Sequence, residues 1–420
     1  MIRKERLANG LTLLTESMPD VRSVAIGVWL RRGSRHEPAR LNGISHFIEH
    51  LLFKGTESRS AKAIALAMDS IGGQMDAFTS KEYTCFYAKV LDTHVTDAVE
   101  LLSDIVQRPA FDPTELERER HVVLEEIRMV EDSPDELVYD LLTDHFYPGQ
   151  ALGRPIQGTA RTVRAMGRGQ LLGYFREAYR AGDILIAAAG NLRHGGMVRL
   201  ARRAFGALEA GPRRRERPCV PRPRAAIVTR RKRELEQLHL LLGLAAFPEG
   251  FAGRYALYVL NTILGGTMSS RLFQTIREER GLAYSVYSGL NTFLDSGLLT
   301  VYAATSPKAA TEVVRLIVQE MRSLADAGPK PEELRMAQEH LKGSLMLALE
   351  STSSRMSQLA RQEIYFGRQT TSKETLDRVS RVTRGQVQAV ARRLFRGRRV
   401  ALAAVGRIDR LCVDRQALAL

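Results

Sequence analysis

Apolar and polar positions alternate clearly in "SVAIGVWL" (23–30), where Val24, Ile26, Val28 and Leu30 share one face, the two-residue period of a half-buried strand. "TCFYAKVL" (84–91) and "LLTVYAAT" (298–305) are rich in aromatic and β-branched residues and predict further strands. Over 95–107 and 311–324 the spacing changes to that of amphipathic helices. "SHFIEHLLFKG" (45–55) predicts another, with Phe47, Ile48, Leu51 and Leu52 inward, Asn42 as its cap near Gly43 and Gly55 at its end. In "DPTELERERHVVLEEIRMVEDSP", Asp112 caps, Pro113 suits the first helical position, Glu115 completes a capping box and Pro134 marks the end. On that helix Val122 and Val123 are expected to pack inward. Together these elements predict an α+β protein, with helices packed on largely antiparallel sheets.

The pattern occurs twice. "FDPTELERERHVVLEEI" (111–127) is echoed by "PKPEELRMAQEHLKGSL" (329–345), placing Pro113 over Pro331 at an offset of 218. Gly153 lies over Gly367 and Gly190 over Gly406, at offsets of 214 and 216. Near-equal offsets over this length indicate a duplicated unit of about 200 residues. The expected organisation is an N-terminal domain over 1–210, a linker over 211–225 and a C-terminal domain over 226–420. Only the first copy has the histidines of "HFIEH"; the second reads "LNTILGGTMSSRLF" (260–273) at that place.

Charge changes this picture little. The chain carries a net +15, but +8 of it falls in "GPRRRERPCVPRPRAAIVTRRKRE" (211–234), which is also rich in proline. Such a segment is expected to be a solvated, extended linker. It has no interleaved aromatics for base stacking, so no nucleic-acid partner is expected, and polyanion binding is the lesser alternative. No apolar run approaches the roughly 20 residues of a membrane span. The N-terminus has no signal-like apolar stretch, and Cys85, Cys219 and Cys412 show no pairing spacing, so a cytoplasmic protein is expected.

The candidate chemistry lies in the first copy. His46 and His50, four apart, share one helical face and can reach one metal ion, while Glu49 is placed to take a proton from a water rather than to bind the metal. The plain alternative is a surface helix with solvated histidines. A catalytic zinc site needs a third protein ligand. On the 113–132 segment Glu119 and Glu126 lie two turns apart on one face, with Glu125 as the competitor.

At this point the chain resembles the M16 family of zinc metallopeptidases, which includes pitrilysin, insulysin and mitochondrial processing peptidase, and most of all its short bacterial, processing-peptidase-like branch. "HFIEHLLFKGT" is similar to the family's His-x-x-Glu-His helix, and "ERERHVVLEE" to its downstream pair of glutamates. The resemblance implies one zinc per chain on His46, His50 and Glu126, with Glu49 as general base and Glu119 behind the ligands. "GGQMDAFTSKEYTCFYAKVL" (72–91) resembles the family's substrate-binding edge strand, implying peptide contacts at Asp76, Ala77, Phe78 and Thr79, with Asp76 standing where the family usually has Asn. "RLFQTIREERGLAYSVYSG" resembles its Arg/Tyr element, implying that Arg277 and Tyr284 contact the substrate and the developing oxyanion. A two-unit chain of this kind is expected to form a homodimeric clamshell that encloses peptides, each zinc centre facing the Arg/Tyr pair of the other subunit. The alternative within the same fold is a non-catalytic assembly subunit.

Overall fold

In the computed structural model, which describes residues 1–211, 220–398 and 400–420, the alternating stretches become strands of two sheets. Residues 212–219 of the expected linker lie outside the described residues. The first sheet holds β1 (Ile2–Arg6), β2 (Thr12–Ser17), β3 (Ser23–Leu30), β4 (Gln74–Thr79), β5 (Thr84–Leu91) and β6 (Ile184–Gly190), in the order β1-β2-β6-β3-β5-β4. Only β2 and β6 run parallel. The second holds β7 (Ile227–Arg231), β8 (Leu238–Ala246), β9 (Ala283–Thr292), β10 (Gly297–Thr305) and β11 (Ala401–Gly406), in the order β7-β11-β8-β10-β9, and only β7 and β11 run parallel. Aside from β1, the two orders coincide strand for strand, so the duplication suggested by the offsets is present in the topology. It extends to the backbone. Gly190 and Gly406 end equivalent strands at φ +139° and +136°, and a Cβ would strike Ser23 O at the first and Gln237 O at the second.

The helices α1 (Ile44–Leu52), α2 (Ala61–Ser70), α3 (Val95–Gln107), α4 (Pro113–Asp132) and α5 (Pro134–Phe146) follow in the first half. The chain forms two compact units, and neither is continuous in sequence. One comprises Met1–Arg128, the chain from Arg154 to the undescribed segment, and Leu347–Gln369. The other comprises Met129–Gly153, the chain from beyond that segment to Met346, and Thr370–Leu420. The first unit therefore includes the helix Thr352–Phe366 from the second half, and the second unit includes α5 from the first half.

That arrangement corrects the expectation for β3. Every position after Ser23 is buried, not every other one. Val24, Ile26 and Val28 face a core shared with Phe47 and Ile48 of α1 and Leu102 and Ile105 of α3. On the other face Ala25 and Trp29 meet Met356, Leu359 and Ala360 of the Thr352–Phe366 helix, and Trp29 Nε1 donates to Met356 Sδ at 3.2 Å. Arg355 of the same helix pairs with Glu16. In the second unit, Leu137, Val138, Leu142 and Phe146 of α5 cover Leu241, Leu298, Tyr302 and Ala403 in the same way.

Candidate metal centre

The helix carrying both histidines begins at an unusual cap. Gly43 precedes α1 at φ +95°, where a Cβ would come within 2.5 Å of Gln157 O. The orphan amides of the first turn are met by Glu37 rather than by Asn42: Gly43 N donates to its Oε2 at 2.7 Å and Ser45 N to its Oε1 at 2.8 Å. Asn42 instead donates from Nδ2 to Glu37 Oε2 and to Pro155 O. Burial pushes the Glu37 carboxyl up despite these bonds. A cap six residues upstream has no motif register, so nothing in the sequence pattern marked it. For α4, Asp112 caps as expected, its Oδ1 accepting from Thr114 N and Glu115 N, and α5 starts at Pro134. Val123 is buried, but Val122 turns outward at 42 % exposure.

These two helices bring three donors together. His46 Nε2 lies 3.6 Å and His50 Nε2 3.4 Å from Glu126 Oε2, and the donor atoms of the trio all fall within 4.8 Å of one another. Donors about 2.0–2.1 Å from one tetrahedral ion sit roughly 3.3–3.5 Å apart, so the donor set and its spacing fit zinc. Glu125 points away, 63 % exposed and paired with Arg128. Behind the trio, Glu119 Oε2 takes His50 Nδ1 at 3.1 Å and its Oε1 takes Lys54 Nζ at 2.8 Å. Lys54 carried no signal in the sequence reading. Burial, then the neighbouring His50, brings His46 down to about 4, which keeps its imidazole neutral, the form that could bind a metal. Burial opposes charge on His50 too, but Glu126 and Glu119 outweigh it and raise that group. The hydrogen bond with His50 holds Glu126 low.

Glu49 faces the edge strand. Its Oε2 accepts from Thr79 Oγ1, and burial pushes its carboxyl up to about 7, against the opposing pull of that bond. Among the described residues, β4 pairs with β5 on one side only. Ala77 and Thr79 face the core and α1, whereas Asp76 and Phe78 face the other side of the sheet. Phe78 packs there against Trp29, Tyr83 and Tyr87. The Asp76 carboxylate accepts from the amide of Ala77 at 2.8 Å. In the other unit the Arg277 guanidinium lies 4.6 Å over the ring of Tyr284 and 4.7 Å over that of Phe273. Tyr284 is 73 % exposed on β9, and Arg277 sits on Phe273–Glu278, a segment wound with the wider i→i+5 spacing. No described helix is long and apolar enough to cross a membrane.

Comparison with known proteins agrees with this construction. The family described as "Insulinase (Peptidase family M16)" matches residues 12–160, and "Peptidase M16 inactive domain" matches residues 165–341. An uncharacterized zinc protease of Bacillus subtilis (strain 168) is 43% identical over 397 residues, covering 94% of this chain and 96% of that protein. Another from Mycobacterium tuberculosis (strain ATCC 25618 / H37Rv) is 43% identical over 413 residues, covering 96% and 93%. Among solved structures, a peptidase M16 inactive domain from Pseudomonas fluorescens shares the fold with a TM-score of 0.91 at 21% identity, covering 97% of this chain and 98% of that one. The two units, the topology and these matches agree: the chain belongs to peptidase family M16.

Proposed function

We propose that the protein is a zinc-dependent endopeptidase that hydrolyses peptides or short unfolded segments, and that it acts in the cytoplasm as a homodimer enclosing its substrate. One observation carries the reading: the donor atoms of His46 and His50, on the helix that also presents Glu49, converge within 4.8 Å with that of Glu126 on α4. The relatives described as zinc proteases support the choice of ion. One zinc per chain, held by His46, His50 and Glu126, supplies Lewis-acid polarisation and lowers the pKa of water from 15.7 towards about 7. Glu49 takes the proton of the attacking water and returns it to the leaving amine, and Thr79 holds the carboxylate in place. A peptide adds to the open side of β4 as a further strand along Asp76, Ala77, Phe78 and Thr79. An ionised Asp76 accepts a hydrogen bond from the substrate and cannot donate one. Arg277 contacts the substrate, and the Tyr284 hydroxyl donates to the oxyanion as it forms. The zinc-bearing domain, 1–210, and the Arg277/Tyr284-bearing domain, 226–420, complete each other across the dimer.

The test pairs metal analysis with cleavage of a mixed peptide library. The wild-type chain is expected to carry one zinc and to cut the library until a chelator is added. Glu49→Gln is expected to retain zinc and to lose cleavage by at least the roughly 10²–10⁴-fold that general-base catalysis contributes. Cleavage by Glu49→Gln at the wild-type rate would sink the assignment. A wild-type chain that leaves the library intact would indicate a non-catalytic subunit.

A further inference from the structure

The carboxylate that holds His50 is itself held. Glu119 is 4 % exposed, and it divides its two oxygens between His50 Nδ1 and the Lys54 ammonium. A carboxylate buried to this degree needs a compensating charge, which a neutral imidazole does not provide. Lys54 reaches it from a braced turn. Gly55 sits at φ +125° and its carbonyl accepts from Ala110 N at 3.0 Å. Thr56 N donates to Arg59 O, Glu57 N to Arg108 O, and Thr56 Oγ1 to the buried Asp104. His46 has no such support, because its buried Nδ1 has no hydrogen-bond partner among the described residues. The outer hold on the histidine pair therefore passes through His50 alone. We infer that Lys54 is a positioning residue of the metal centre: its ammonium fixes Glu119 so that His50 keeps the proton on Nδ1 and offers Nε2 to the ion. The inference rests on the metal reading of His46, His50 and Glu126.

Zinc affinity, measured on the full chain by competition with a chromophoric chelator, tests it without recourse to activity. Lys54→Met keeps the length of the stem and removes the charge. It is expected to weaken zinc binding about 10-fold, the lower end of what losing an outer partner of a ligand costs. Lys54→Gln should do the same and Lys54→Arg should recover most of the loss, with all affinities compared at a temperature where each zinc-free variant is folded. Added to Glu119→Gln, Lys54→Met should cost nothing more, since both act through one carboxylate. Wild-type affinity in Lys54→Met and Lys54→Gln, or losses at 54 and 119 that simply add, would overturn the role of Lys54 and leave the centre standing. A wild-type chain that takes up no zinc would overturn the metal reading and this inference together.

Discussion

At the scale of single residues, burial decides what each polar group can do. Asp104 is fully buried, yet it accepts from Thr56 Oγ1 at 2.8 Å and Ser58 Oγ at 3.0 Å, and pairs with Arg59 and Arg108. Burial pushes its carboxyl up, but the bonds from Thr56, Arg59 and Ser58 outweigh burial, so it lies below the usual range. A carboxyl depressed in the folded state contributes stability that is fully present above its unfolded value of about 3.9 and is lost as pH falls through its folded value. Asp104→Asn is therefore expected to cost on the order of 1–3 kcal/mol at neutral pH, with the gap to wild type closing in acid; urea titrations at pH 7 and pH 3 measure both. Glu126 was legible in sequence as one of two neighbours, because helical phase separates it from Glu125 by about 100°. Which of them turns inward depends on where α1 lies, and pattern alone does not contain that. Lys54 was invisible for a related reason: a lone lysine after a helix usually ends in water, and only the fold places Glu119 beside it.

Among the elements, α1 has most of its functional groups from its own sequence and its footing from elsewhere. The existence of the 95–107 and 84–91 elements was legible to the residue, because strong periodicity and side-chain type agree there. The start of α1 was legible to within a residue, but its cap was not, since it arrives from Glu37 across a loop instead of from the adjoining Asn42. Glu37→Ala would leave the amides of Gly43 and Ser45 buried without acceptors. The expected cost is about 1–3 kcal/mol of stability, read from chemical denaturation, together with weaker zinc retention as the first turn frays. Full stability and full zinc content in that variant would show that water can replace the cap. β4 illustrates the complementary case: its edge position follows from the sheet order, while its alternation, with Thr79 inward at Glu49, follows from its residues.

Over the whole molecule, the repeat was legible and the exchange of helices was not. Offsets along a chain reveal that a unit recurs, but they do not say which copy's sheet a given helix covers. β3 was misjudged as half-buried for this reason, its second face being closed by Thr352–Phe366. Residues 1–211 made alone would leave Leu14, Ala25, Trp29, Cys85 and Leu185 without that helix. Such a fragment is expected to bind a hydrophobic dye and to lack a cooperative melting transition, and co-expression with 220–420 should abolish the dye binding and restore the transition; a fragment that melts cooperatively by itself would refute this. The same exchange also sets a clock on synthesis. A ribosome that has delivered α1, α4 and the entire first sheet has not yet made the helix that closes it, for 140 further residues separate 211 from Thr352. The nascent chain must therefore carry the half with the His46/His50/Glu126 cluster unfinished while those residues are made, and that half matures only once Thr352–Phe366 has emerged.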